Sequence, residues 1–308
     1  SLIVSILIII SFQLFSGKII DMADAAAYGE DIVYSKTTRF QKIVMTRWRD
    51  DLRLYLNGNI QFSSYDEYRY HEALIHPLFS SLHRRERVLV LGGGDGLALR
   101  EIFKYDDVRS VDLVDLDPAV VQLAKTNPHL KRLNKSSFHD RRVTYHAMDA
   151  WLFMRENTKK YDAVVVDLPD PSNENLMKLY SRQFYQLIAR GISADGGVVI
   201  QSTSPYFNRR SFWSVVKTVK AAGLRVTPLH AHVPSFGEWG YVLAAHFNLP
   251  FKATTIAVPT RYVTTGLLPS LFHFPKDIGP VDVAVSTIDQ PVIMKYYQED
   301  NRKYFGDK

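Results

Sequence analysis

From Arg87 onward the chain takes up a rhythm that constrains its fold more than any other feature. RVLVLG (87–92), SVDLVDLD (110–117), VTYHAMD (143–149), YDAVVVD (161–167), VVIQST (198–203), LRVTPL (224–229) and GYVLAAHF (240–247) are short apolar runs, most of them separated by helical stretches. The helical stretches include LALREIFKY (97–105) and AVVQLAK, which is opened by Pro118, a residue preorganised for a first helical turn. Strands alternating with helices specify an α/β domain, a parallel sheet covered on both faces. After Leu249-Pro250 the rhythm fades into a mixed tail.

Ahead of this rhythm, residues 30–62 are rich in Tyr, Val, Ile and Thr and alternate in part. Asn57-Gly58 is a hairpin signal, since both positions tolerate positive φ. A small antiparallel sheet is predicted there, followed by a helix from Tyr65 to Leu82 with Tyr68, Glu72, Ile75 and Phe79 at near-helical spacing. The first seventeen residues (SLIVSILIIISFQLFSG) carry no charge. They fall slightly short of the ~20 residues a spanning helix needs, and they are apolar on every face rather than along one stripe. A signal peptide fits less well, because Lys18, Asp21 and Asp24 intervene and there is neither an initiator Met nor a basic leader. The run is read as the end of a transmembrane helix that begins before Ser1, attached to a domain facing the cytoplasm. The expected organisation is a hydrophobic segment (1–19), an N-terminal β-hairpin domain with linker helix (28–82), a catalytic α/β domain (83–250) and a C-terminal extension (251–308).

The 308 residues contain no cysteine, which excludes disulfide scaffolds, thiolate metal sites and cysteine nucleophiles. The net charge of +6 is compatible with a nucleic-acid or membrane surface. The basic run Arg84-Arg85-Glu86-Arg87 lacks interleaved aromatics, however, and reads as a solvated turn rather than a nucleic-acid patch. His71, His76, His83, His230 and His232 are not completed by an acid into a metal-ligand set, and no metal is expected.

The chemistry concentrates at the ends of the strands. Gly92-Gly93-Gly94-Asp95-Gly96 lies between a strand and a helix, where Gly92, Gly94 and Gly96 permit a tight turn and let a ligand approach the backbone. Asp115 ends the next strand, where ribose hydroxyls are held in such folds, and Asp149 ends the third. Leu97 replaces the third glycine of the dinucleotide fingerprint, and the acid within the turn would repel a pyrophosphate. A nucleoside bearing a positively charged sulfur fits better than NAD or FAD. Asp167 and Asp170 then flank the Pro-containing end of the fourth strand. Unpaired carboxylates gathered in one crevice repel one another, a repulsion that a cationic ligand relieves. A polyamine meets that need, and a carboxylate can take the proton an attacking amine must lose.

The GGGDG turn, Asp115, the MDA segment at Asp149 and D-x-x-D-P at 167–171 resemble the polyamine aminopropyltransferases (spermidine synthases). So do LYLNGNIQFSSYDEYRYHEALIHPLF (54–79) and PSFGEWGYVLAA (234–245). The resemblance covers roughly residues 30–250, and the hydrophobic start and the tail look like the membrane-bound variety. It implies a Rossmann-like, methyltransferase-type domain preceded by a small β-domain, and commonly a homodimer. It also implies decarboxylated S-adenosylmethionine as a co-substrate, with no permanently bound cofactor. By resemblance Asp95, Asp115 and Asp149 hold the nucleoside, while Gln41 and Gln61 lie near the ribose and the aminopropyl arm. Asp167 is the catalytic acid, and Asp170 and Tyr70 face the amine. His71 stands where a glutamine amide is expected, and Glu238 likewise replaces a glutamine near the amine, so the acceptor is less defined than the reaction, with putrescine the default. A methyltransferase would share the glycine turn and Asp115 without needing Asp170 or the hairpin. A non-catalytic polyamine- or nucleoside-binding domain of a membrane protein is the third reading.

Overall fold

The computed structural model describes residues 28–250 and 254–306. The chain divides into two compact units between Tyr65 and Asp66. In the first, β1 (Asp31–Thr37), β2 (Lys42–Trp48), β3 (Asp51–Leu56) and β4 (Asn59–Ser63) form an antiparallel sheet in chain order. Asn57 and Gly58 join β3 to β4 with φ of 50° and 80°, the doubly left-handed pair of a two-residue hairpin. The Asn57 side chain also accepts the Lys42 N–H at 2.9 Å, tying the turn to the sheet.

The second unit is built on a seven-stranded sheet. Its strands are β5 (Arg87–Gly92), β6 (Ser110–Asp115), β7 (Val143–Ala147), β8 (Tyr161–Asp167), β9 (Ile192–Gln201), β10 (Arg225–Val233) and β11 (Gly237–Ala245). They lie in the order β10-β11-β9-β8-β5-β6-β7. Pairings from β7 through β9 are parallel, whereas β11 runs antiparallel to both β9 and β10. This is the Rossmann-like, methyltransferase-type arrangement expected, closed by a reversed final strand. Pro228, which has no N–H to give, sits on β10 at the edge of the sheet, where a missing donor is tolerated.

The main helices are α1 (Glu67–Ser81), α2 (Leu97–Ile102), α3 (Pro118–Thr126), α4 (Ala150–Glu156), α5 (Arg182–Gly191), α6 (Arg209–Ala221) and α7 (Val292–Phe305). Leu89, Leu91, Val164, Val166, Val198 and Ile200 alternate along the central strands and pack against Met154, Phe184, Ile188, Phe212 and Val219 from the helices. The residues between them, Val88, Val90, Val165 and Val199, are buried as well. Burial on both faces is why these strands read as unbroken apolar runs.

The expected cell-membrane location, with the catalytic domain facing the cytoplasm, is not upheld. Among the described residues no helix is long and apolar enough to cross a membrane. The hydrophobic segment at 1–19 and the helix predicted for it lie outside the described residues.

Candidate active site

β5 lies beside the central strand β8, and the strand order reverses between the two. The chain runs from β5 to β6 and β7 on one side, then returns to β8 and β9 on the other. A crevice opens at such a switch point beyond the carboxyl ends of the strands. Gly92 and Asp167 are register partners across it. Gly92 has a φ of 85°, and a Cβ there would lie 2.0 Å from the Asp167 carbonyl oxygen. Gly94 is closely packed as well, since a Cβ there would meet the end of the Asp115 side chain at 2.6 Å. Within this site, then, the glycines let β8 and Asp115 press against the turn. Gly96 follows with a φ of 78° and leads into α2.

The acids expected at the strand ends arrive there for identifiable local reasons. Asp95 accepts the Leu97 N–H at 2.8 Å at the start of α2. Asp115 accepts the N–H groups of Gly94 at 3.1 Å and Asp117 at 3.0 Å. Asp167, at the end of β8, accepts the Tyr70 hydroxyl of α1 at 2.5 Å. Asp170 accepts Gln201 Nε2 at 3.2 Å and Thr203 Oγ1 at 3.1 Å. Among the described residues, no Lys or Arg forms an ion pair with any of these four carboxylates. Arg100, whose charge also acts on Asp95, is held by Glu67 at 2.7 Å.

Burial acts on all four, and neighbouring charges act on Asp95, Asp115 and Asp167. Burial pushes the Asp115 carboxyl up to about 6, against the pull of its two N–H donors and with the charges of Asp95 and Asp117 adding to the rise. Burial likewise raises Asp167 to about 6, opposed by His71 and the Tyr70 bond and reinforced by Asp95. Asp95 and Asp170 are raised from the ordinary value for the same leading reason. Carboxyls raised in this way take up a proton more readily, and a cationic ligand favours their charged form.

Asp149 and Glu238 differ from these. Asp149 caps α4 through the Leu152 N–H and is ion-paired with Lys178 at 2.9 Å. Glu238 is bound by His230 and lies 3.5 Å from His232. Burial opposes its ionisation, yet these two histidines keep it below the usual value. Glu238 is therefore a partnered charge. His71 is buried, with Nδ1 3.0 Å from Glu67, and its pKa is raised despite burial by that bond and by the charges of Glu67, Asp95 and Asp167. Gln41 and Gln61 belong to the first unit, Gln41 just before β2 and Gln61 on β4, where its amide donates to the Asn59 carbonyl at 3.0 Å.

Several residues with a place here are not among the predicted site residues. Gln201, at the end of β9, donates to the Leu168 carbonyl and to Asp170, and it accepts the Trp239 indole N–H at 3.2 Å. It thereby pins the 167–171 turn. Thr203 has a φ of 60°, an outlier for a β-branched residue. The Gly240 N–H on its carbonyl, at 2.8 Å, holds it there. Phe236 and Trp239 pack against the Tyr70 ring at 5.8 and 6.4 Å, gathering aromatic rings beside Asp167.

Comparison with known proteins places this geometry in a family. Residues 67–252 match the spermine/spermidine synthase domain. Polyamine aminopropyltransferase 2 of Ralstonia nicotianae is 46% identical over 286 residues, a match covering 92% of this chain and 56% of that protein. The polyamine aminopropyltransferase of Oceanobacillus iheyensis is 41% identical over 281 residues, covering 90% of this chain and 55% of its own. The chain thus spans a little over half the length of these relatives. A spermidine synthase solved in complex with the transition-state analogue AdoDATO superposes with a TM-score of 0.75 at 23% identity, over 80% of this chain and 86% of that one. That likeness is one of fold. The family match spans the helix that carries Tyr70, the glycine turn and all four unpaired acids, and on that ground the chain belongs to the spermine/spermidine synthase domain family.

Proposed function

We propose that the chain carries out aminopropyl transfer from decarboxylated S-adenosylmethionine to a polyamine acceptor, with putrescine the default, releasing methylthioadenosine. The observation that carries this reading is the crevice of four carboxylates with no ion-pairing Lys or Arg among the described residues, two of them raised to about 6. Such a site favours two cationic substrates at once, a sulfonium nucleoside and an amine. The relatives named as polyamine aminopropyltransferases and the fold neighbour that binds AdoDATO support the same substrates.

The chemistry follows from the proposed roles. Asp115 takes the ribose of the donor, and Asp95 sits beside its charged end. Asp167 accepts a proton from the attacking amine, and the freed nitrogen lone pair attacks the propyl carbon next to sulfur. The C–N bond forms as the C–S bond breaks, and the bonding pair returns to sulfur to give the neutral thioether. The sulfonium is already a good leaving group, so orientation of the two substrates supplies much of the rate. Tyr70 fixes the Asp167 carboxylate through its hydroxyl. Asp170 receives the ammonium of the acceptor, and the Tyr70, Phe236 and Trp239 rings suit its methylenes and charge.

Donor discrimination tests this reading. The carboxylate that decarboxylation removes would face Asp95 and Asp167, and like charges in a partly desolvated site repel. Titration should give tighter binding of the decarboxylated donor than of intact S-adenosylmethionine, by at least about tenfold, roughly 1.4 kcal/mol. Equal binding, or preference for the intact form, would turn the assignment toward a methyltransferase.

A further inference from the structure

We propose that Thr203 is a positioning residue for the acceptor amine, its hydroxyl holding the Asp170 carboxylate in the orientation that receives an ammonium. This role rests on the aminopropyl-transfer reading and gives a part in it to a residue that the fold keeps in a left-handed backbone conformation.

Thr203 lies where the chain leaves the sheet. The last rung of β9 pairs Gln201 with Tyr241 of β11. Ser202 and Thr203 both bond the next residue of that strand, Gly240. The Ser202 N–H donates to the Gly240 carbonyl at 2.9 Å, and the Gly240 N–H donates to the Thr203 carbonyl at 2.8 Å. Two residues thus face one, as in a β-bulge, a device that re-aims side chains beside active sites. No side chain fits opposite, since a Cβ at 240 would lie 2.4 Å from the Phe212 ring and 3.0 Å from the Thr203 carbonyl oxygen. Thr203 itself is buried, and its φ of 60° costs a branched residue free energy that a glycine would not bear. Strain of this kind persists where the surroundings over-determine it, and it clusters at active sites and ligand clamps.

What the threonine adds at this position is a hydroxyl. Oγ1 donates to Asp170 Oδ2 at 3.1 Å, while Gln201 Nε2 donates to Oδ1 at 3.2 Å. The Thr203 N–H also donates to Gln201 Oε1 at 3.2 Å, so one three-residue segment holds both oxygens of the carboxylate. An ionised carboxylate offers about four lone-pair sites. With one taken on each oxygen, the plane of the group is set and the other two are left for a ligand. Both donors are neutral. They favour the ionised form of Asp170 against its burial without cancelling its charge, as a lysine or arginine would.

The test uses three substitutions. Thr203→Val removes the hydroxyl and keeps the branched shape, Thr203→Ser keeps the hydroxyl, and Thr203→Gly relieves the backbone while lacking the hydroxyl. Steady-state kinetics give the constants for putrescine and for the donor. Calorimetric titration of putrescine into protein saturated with methylthioadenosine gives amine affinity independently of turnover, and the methylthioadenosine Kd reports on the donor side. The expected result for Thr203→Val is a roughly tenfold rise in the putrescine KM and Kd, about what one hydrogen bond to a charged group contributes. Its kcat, donor KM and methylthioadenosine Kd should not move. Thr203→Gly should share the defect, and Thr203→Ser should restore the putrescine constants. Wild-type putrescine constants in Thr203→Val or Thr203→Gly, a Ser variant as impaired as the Val variant, or an equal loss of donor or methylthioadenosine binding would overturn the assignment. A wild type that binds putrescine but releases no methylthioadenosine would sink the transfer reading, and the affinity comparison would still decide the role of Thr203. A wild type that binds no putrescine would sink both.

Discussion

At Asp167 three influences compete. Burial raises its pKa, the neighbouring Asp95 adds to the rise, and His71 with the Tyr70 hydroxyl opposes it, for a result of about 6 against an ordinary 3.8. The folded state therefore binds the Asp167 proton more tightly than the unfolded state does. Between about pH 4 and 6 the native form carries the extra proton, so stability falls as pH rises through that window and the full cost persists above it. Two units correspond to at most about 3 kcal/mol, and carboxylates that share their protonation divide that cost. Asp167→Asn keeps an oxygen for Tyr70 and removes the charge. At pH 8 it should be more stable than the unliganded wild type by on the order of 1 kcal/mol, and at pH 4 the difference should vanish. Urea midpoints at the two pH values measure this, and an Asn variant less stable at pH 8 would contradict the electrostatic account.

Among the elements, the parallel strands could be read from sequence because burial on both faces writes them as continuous apolar runs, and the Asn57-Gly58 turn because few other residue pairs accept its two positive φ values. The β10–β11 hairpin was harder to read. His230 and His232 interrupt the apolar pattern, so the strand was predicted to end at Leu229, although it runs to Val233. That hid a link of only three residues, Pro234 to Phe236, too short for the crossover that parallel strands need. The acids were legible because they punctuate strand ends. Gln201 and Thr203 lie in a run read simply as strand, and the left-handed φ of Thr203 runs against the preference of its branched side chain. The tail shows no periodicity because much of it is held by side chains of the catalytic unit rather than by strands or helices of its own. Glu72 is the largest single example, one buried carboxylate satisfying three backbone donors. Glu72→Ala should leave those N–H groups unpaired and cost about 2–3 kcal/mol, seen as a lower unfolding midpoint. A loss below about 0.5 kcal/mol would mean that the tail is held elsewhere.

For the molecule as a whole, the basic net charge and the acidic crevice are complementary facts. With 38 Lys+Arg against 32 Asp+Glu, cations are plentiful, yet Asp149 has Lys178 while Asp95, Asp115, Asp167 and Asp170 have no such partner among the described residues. Carboxylates gathered without a Lys or Arg ion pair among the described residues bear an electrostatic cost that a cationic ligand relieves. The membrane expectation rested on the composition of the hydrophobic start, which lies outside the described residues; among the described residues no helix is long and apolar enough to cross a membrane. The central claim, amine capture and deprotonation by Asp167 in aminopropyl transfer, is tested most directly by methylthioadenosine release from decarboxylated S-adenosylmethionine with a panel of amines, wild type beside Asp167→Asn. The account predicts amine-dependent release that falls by roughly 10²–10⁴-fold in the variant, the range a positioned general base contributes. Release that needs no amine, or a variant as fast as the wild type, would contradict it.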